Sequence, residues 1–298
     1  MVGLRQTAVA RGNWSEIGEI ATSRSQQPPW APGASAPVKP RVAQLVRTIE
    51  TEIIPRLVLA QRDAIRSSLP VAARTQQRKL DGGEIENFAA LVLGQEIASI
   101  AAYINTMRAG GTSIEDIYLN LLAPAARRLG EFWVADLVDF TEVTIGVGRL
   151  QQVLRELSPA FQNERECRSH GRRVLLSPAP SEQHSFGLIM VAEFFQRAGW
   201  DVWSDPALNV DEMVKVVRKE WFAVVGLSLS CEARLESLAN VIRAIRRASR
   251  NRAVGVMVGG QVFTQHPELV ALIGADAMAT DGAQAVSRAG EMLALLAI

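Results

Sequence analysis

The stretch Glu182-Gln183-His184-Ser185-Phe186-Gly187 places a carboxylate two residues before one of only three histidines in the 298-residue chain, and a glycine three residues after it. A neutral imidazole is a good ligand for a transition metal. A carboxylate on the other ring nitrogen would fix the tautomer that ligates. Two loops farther along carry matching chemistry. Gly226-Leu227-Ser228-Leu229-Ser230 offers hydroxyls to a buried ligand group. Gly259-Gly260 offers bare backbone, which lets the chain approach a large planar ligand closely. Taken alone, His184 could equally cap a helix or face solvent. The other two histidines point to no metal: His170 reads as solvated, and His266, in FTQHPEL, reads as the start of a helix.

Each loop follows a short β-prone run. Within residues 172–298, RRVLLSPA, DVWSDP, FAVVGLSLS, AVGVMVGG and DAMAT alternate with segments of helical periodicity. Strict strand–helix alternation predicts a parallel sheet covered on both faces. Five such strands suit a flavodoxin-like sheet of order 2-1-3-4-5. Ligands bind such sheets at the carboxyl ends of the strands, and the three loops leave strands 1, 3 and 4 at that edge. Thr280 and Asp281, after strand 5, stand there too; a helix cap is the plain reading of the aspartate.

The preceding part of the chain changes period. Residues 40–163 read as a helical domain, with short connections that favour an antiparallel four-helix bundle. VAQLVRTIETEIIPRLVLAQ is the first helix, and GEIENFAALVLGQEIASIAAYINTMRAGG is a second, closed by Gly110 and Gly111. Thr112 with Glu115, and Asp139 with Glu142, form capping-box patterns that start the third and fourth. Residues 164–171 read as a charged linker. Residues 1–39, rich in Pro, Ala and Ser, read as a loose tail in which Trp14 and Trp30 are unusual.

Composition narrows the class of protein. Apolar residues make up 48% and charged residues 21%, with a net charge of +1, as in a globular chain with a sizeable core. Cys167 and Cys231 are the only cysteines, at no metal-ligand spacing, and Cys231 reads as a small packed side chain. No apolar run reaches the roughly 18 residues of a membrane span, and no signal-peptide core is seen at the N-terminus. The protein reads as cytoplasmic. Arg243, Arg246, Arg247, Arg250 and Arg252 form a basic cluster whose plain reading is a solvated face at a helix C-terminus.

The three loops together resemble the corrinoid-binding domains of the methionine-synthase type. Those carry D-x-H-x-x-G, then S-x-L about forty residues on, then G-G after nearly thirty more. Here forty residues separate Gly187 from Ser228, and twenty-eight separate Ser230 from Gly259. Glu182 stands at the family's aspartate, and Ser230 at its leucine. The resemblance implies cobalamin bound base-off and His-on. His184 would be the lower cobalt ligand, Glu182 would orient it, and Ser228 would be the third member of the relay. Gly259 and Gly260 would floor the pocket of the nucleotide tail, Ser230 would bear on its packing, and Ser185, Gly187, Thr280 and Asp281 would contact the cofactor. The upper ligand is left open between hydroxo/aquo- and adenosylcobalamin.

The stretch APAARRLGEFWVADLVDFTEV resembles the cap of the CarH/LitR-type light sensors, whose tryptophan lies over the corrin and precedes an E-H pair. Trp133 matches that tryptophan and Glu142 the glutamate, while Val143 stands where a histidine is expected. Trp133 also reads as bundle core, and Glu142 as a capping-box residue. The first 40 residues cannot form the winged-helix DNA-binding domain of those sensors. A helical cap, a cobalamin domain and no DNA reader are similar to the AerR/PpaA-type antirepressors of photosystem genes. That resemblance implies a light-responsive, non-enzymatic regulator acting through a transcriptional repressor of the CrtJ/PpsR type, without a membrane, and touching DNA only through that partner. The alternative is a corrinoid methyl carrier of a methyltransferase system.

Overall fold

Parallel strands covered on both faces need near-continuous apolar runs, and five segments supply them. The computed structural model describes residues 81–163, 172–205 and 208–296. Of two units in the chain, Met1–Arg74 and Thr75–Ile298, these all fall in the second. The strands are β1 Arg173–Pro178, β2 Asp201–Ser204, β3 Val224–Ser228, β4 Gly255–Gly259 and β5 Ala277–Ala279. They form one parallel sheet of order β2-β1-β3-β4-β5, as the alternation predicts.

The helices, in chain order, begin with α1 Gly82–Gly94 and α2 Ile97–Ala109. The short α3 Ile114–Asp116 continues through a π-helical stretch, Ile117–Leu122, into α4 Ala123–Val134, and α5 Phe140–Gln162 follows. Between and after the strands lie α6 Phe186–Arg197, α7 Val210–Lys219, α8 Leu235–Ala248, α9 Gln261–Gln265, α10 Leu269–Leu272 and α11 Gly282–Leu296.

Side-chain alternation along the strands builds two cores. Leu175, Val225, Leu227, Val256 and Val258 pack against Met213, Val217, Leu238, Val241 and Ile245 of α7 and α8. Val174, Leu176, Val224 and Met257 face the other way, onto Leu188, Ala192 and Phe195 of α6 and Ala285 and Ala289 of α11. Helix α6 is apolar on its other side as well. Phe186, Met190 and Phe194 join a third core made by α1 to α5, in which Tyr118 and Phe161 stack around Phe194. Burying one such ring stabilises by about 2–3 kcal/mol. Glu193 accepts bonds from Ser158 and Gln162, and Arg197 pairs with Glu115 at 2.9 Å, so polar contacts border the same seam.

Several local expectations change. The long second helix is two, because Gln95 and Glu96 both adopt extended backbone between α1 and α2. Ser113 rather than Thr112 caps α3, accepting from the amide of Asp116. Asp139 and Glu142 do make the reciprocal capping box of α5. His266 closes α9 instead of starting a helix, donating its amide to Val262. Cys231 is exposed rather than packed. The tail, the first predicted helix and the linker 164–171, with Trp14, Trp30, Cys167 and His170, lie outside the described residues.

Candidate functional site

The ends of four strands come level at one edge. Pro178, Ser228, Gly259 and Ala279 are successive partners across β1, β3, β4 and β5. Pairing continues just beyond the strands, with Ala179 N–H donating to Ser228 O at 2.9 Å and Leu229 N–H to Gly259 O at 3.0 Å. After β1 the chain turns sharply: Glu182 N–H returns to Ala179 O at 2.8 Å, with Ser181 at φ 66°. That turn drives the Glu182 side chain inward, 1% exposed, while His184 two residues later stands 76% exposed.

The two are joined. Glu182 Oε1 lies 2.6 Å from His184 Nδ1 and accepts the amides of Gln183 and His184 at 2.9 and 3.0 Å. Its Oε2 accepts from Ser230 twice, from the amide at 2.8 Å and the hydroxyl at 2.6 Å. Arg234 Nη1 stands 3.8 Å from the same oxygen. Burial pushes this carboxyl up. The bonds from the Ser230 hydroxyl, the His184 and Ser230 amides and the His184 ring outweigh burial and hold it at about 2. An ionised carboxylate only accepts, so the imidazole proton resides on Nδ1. Nε2 therefore carries its lone pair outward, with no partner among the described residues.

Ser230, not Ser228, is thus the third member of the relay. Its Oγ lies 3.0 Å from His184 Nδ1 as well as on Glu182. Ser228 Oγ is instead buried with no hydrogen-bond partner among the described residues. A buried, unsatisfied hydroxyl costs about 1–3 kcal/mol, which is reasonable at a place built to bond a ligand group. Arg234, which spacing did not single out, was detectable only as a cation four residues past Ser230.

The glycines divide by role. Gly187 has open space where a Cβ would stand, which suits a surface left clear for a ligand. Gly260, at φ +107°, would put a Cβ 2.1 Å from Leu229 O, so the close approach it permits is to the chain's own β3 loop. Ser185 occupies the N-cap position of α6 without a side-chain bond. Asp281 takes the plain capping role expected of it, accepting the Gln284 amide at 2.8 Å, and Thr280 Oγ1 donates to it at 3.2 Å.

On the helical part, Trp133 is not core: it is 48% exposed and meets Phe140 edge-on at 6.5 Å. Val134, Leu137, Phe140 and Ile145, near it in sequence, are exposed too. Exposed apolar groups gathered in this way suit a binding surface. Glu142 is committed to its capping box, so its carboxylate is already engaged with the Asp139 amide at 2.8 Å. Phe186, two residues past His184, belongs to the helical core, which ties the cap to the loop that carries the histidine.

The donor set fits cobalamin: an outward imidazole lone pair with a locked tautomer, an orphan buried hydroxyl at the adjacent strand end, and a clear glycine surface. Comparison with known proteins agrees. The B12 binding domain family matches residues 172–289. The solved monomethylamine corrinoid protein of Methanosarcina barkeri superposes with a TM-score of 0.60 at 16% identity, over 69% of this chain and 96% of that one. That likeness shows a shared fold. Residues 172–289 are a B12-binding domain, and the protein binds cobalamin. A 20.5 kDa protein of the bchF–crtJ intergenic region of Rhodobacter capsulatus is 28% identical over 174 residues, 58% of this chain and 90% of that protein. The chain is thus a cobalamin-binding protein that is similar, over most of that relative's length, to the bchF–crtJ intergenic-region protein.

Proposed function

We propose that this protein is a light-responsive transcriptional regulator that uses bound cobalamin to control a repressor of the CrtJ/PpsR type. The observation that carries the reading is the Glu182–His184–Ser230 relay, and exposed Trp133 and Phe140 on the helical part support it. His184 Nε2 would hold the cobalt, which is the base-off, His-on state. Ser228 Oγ would bond the nucleotide tail, and Trp133 with its apolar neighbours would lie against the corrin. Bound cobalamin would supply a light-sensitive cobalt–carbon bond where its other ligand is adenosyl; a hydroxo/aquo ligand is the alternative state. What the chain supplies is a readout: when the upper face changes, the exposed rim at 133–145 changes its contacts, and a partner reads the new surface. The location of the relative's gene beside crtJ supports the choice of partner. The protein acts in the cytoplasm and is not itself an enzyme.

The test measures affinity for the repressor with the cobalamin-loaded protein kept dark or illuminated with blue-green light, beside absorbance spectra of parent and His184→Ala. A light-dependent change of affinity, absent in His184→Ala together with loss of the His-on spectrum, is expected. Equal affinity in light and dark sinks the regulator reading. Methyl turnover with a donor protein would make the chain a corrinoid methyl carrier instead.

A further inference from the structure

The segments that follow the carboxyl ends of the five strands, residues 179–185, 205–209, 229–234, 260–268 and 280–281, hold a single lysine or arginine between them, Arg234. Five carboxylates stand in the same segments: Glu182, Asp205, Glu232, Glu268 and Asp281. Glu182 is taken up by the relay. Glu232 and Glu268 face the two ring nitrogens of His266 at 3.3 and 3.1 Å, and Asp281 accepts the Gln284 amide. An anionic group approaching this edge therefore meets an excess of negative charge, relieved by a cation at one point.

Arg234 is an unusual residue for its place. It ends the short helical turn Glu232–Arg234 and takes the N-cap position of α8 without a side-chain bond to that helix. N-caps favour Ser, Thr, Asp and Asn, and a cation is disfavoured at the positive end of a 14-residue helix. Packing does not account for it, since the side chain is 38% exposed. Among the described residues its one ion pair is with Glu182 Oε2 at 3.8 Å, beyond hydrogen-bond reach. That oxygen already accepts the Ser230 amide and hydroxyl at 2.8 and 2.6 Å. The guanidinium makes no hydrogen bond to a described residue, so its fork of donors is left for a ligand.

We propose that Arg234 binds the phosphodiester in the nucleotide tail of cobalamin, and so selects complete cobalamin over corrinoids that lack the tail. One phosphodiester joins the corrin to its base, and it is the anionic group of the tail. The inference rests on His184 taking the cobalt in place of that base, because the displaced tail must then pass the loop that holds the imidazole. Arg234 stands at that loop, 3.8 Å from the carboxylate that fixes the ring. Ser228, whose buried hydroxyl has no partner among the described residues, ends the strand that leads into Arg234's own segment. A charged group taken out of water needs a paired counter-charge. A guanidinium fork matches two phosphate oxygens, and such charge-assisted bonds are about twice as strong as neutral ones. The regulator reading plays no part in this step.

The test is equilibrium binding to the full chain in the dark, read by absorbance, with three corrinoids. Hydroxocobalamin carries the whole tail, hydroxocobinamide lacks it, and cobinamide phosphate keeps a phosphate without the nucleoside. Arg234→Gln should bind hydroxocobalamin and cobinamide phosphate about 10- to 30-fold more weakly than the parent, and hydroxocobinamide within about twofold of it. Thermal melts of the cofactor-free proteins should coincide. If Arg234→Gln melts well below the parent, Arg234→Lys, which keeps the charge and loses the fork, takes its place and must divide the three corrinoids in the same way. Equal loss with all three overturns the proposal, because Arg234 would then act through Glu182. Unchanged affinity for all three overturns it too, as does a loss with hydroxocobalamin that cobinamide phosphate does not share, which puts Arg234 on the nucleoside. Failure of the cobalt-ligand reading shows separately, as a His184→Ala protein that keeps the parent's spectrum with hydroxocobinamide.

Discussion

Glu182→Gln removes one negative charge and one acceptor without changing the size of the side chain. The parent carboxylate receives two bonds from Ser230, two from backbone amides and one from the His184 ring, at 2.6 to 3.0 Å. A carboxamide cannot accept on its nitrogen, so one set of donors loses its partner, and each lost bond to a charged group costs about 1.5–3 kcal/mol. The titration gives an independent figure. The carboxyl is held at about 2 against an ordinary 4.5. Because its folded value is depressed, its contribution is complete above pH 4.5 and is lost as pH falls towards about 2. Discounted for screening where His184 meets solvent, the shift corresponds to about 2 kcal/mol. Urea denaturation of the metal-free protein at neutral pH should show Glu182→Gln destabilised by about 2–6 kcal/mol, with the gap narrowing below pH 4.5. Cobalamin titration by absorbance should show affinity reduced about 10- to 100-fold, because the proton of His184 is no longer pinned to Nδ1. Wild-type affinity with an unaltered His-on spectrum would refute the relay, even if stability fell as expected.

Ser228→Ala should separate ligand contact from folding. The hydroxyl has no partner among the described residues, so the metal-free protein should keep its stability or gain up to about 1 kcal/mol in denaturation, while cobalamin binds about five- to tenfold more weakly. Gly260→Ala forces a Cβ to 2.1 Å from Leu229 O at φ +107°, and should lower stability by about 2–4 kcal/mol in thermal melts before any ligand is added. Tyr118→Phe loses the buried bond to Leu154 O at 3.2 Å and should cost about 1 kcal/mol at neutral pH. Burial first, and Glu193 second, raise the Tyr118 phenol well above its ordinary 10, so its stabilising contribution is complete below pH 10 and lost above it. Denaturation at pH 9 and 11 should show a decline in the parent that is smaller in Tyr118→Phe.

The sheet was legible because its signals are periodic and local. Apolar runs such as Val224–Ser228 and Gly255–Gly259, each ending in Gly or Ser, could hardly lie anywhere but in a buried parallel sheet. The break between α1 and α2 was not legible: Gln95 and Glu96 are good helix formers, and nothing short of tertiary packing turns the chain there. The site shows the same division. Spacing brought His184, Ser228 and Gly259 to one edge, but spacing cannot say which hydroxyl meets the carboxylate. Ser228 ends β3, and its direction is set by the strand's alternation; Ser230 lies past the strand, where alternation lapses and the backbone turns its amide and hydroxyl together onto Glu182. Here the two departures from the family's pattern explain each other. A glutamate where an aspartate is usual reaches one methylene farther, and a serine where a leucine is usual supplies the donors that the longer side chain meets. Shortening Glu182 to Asp while keeping Ser230 would therefore leave the serine's two donors out of reach, and restoring the family's aspartate would weaken the site rather than improve it.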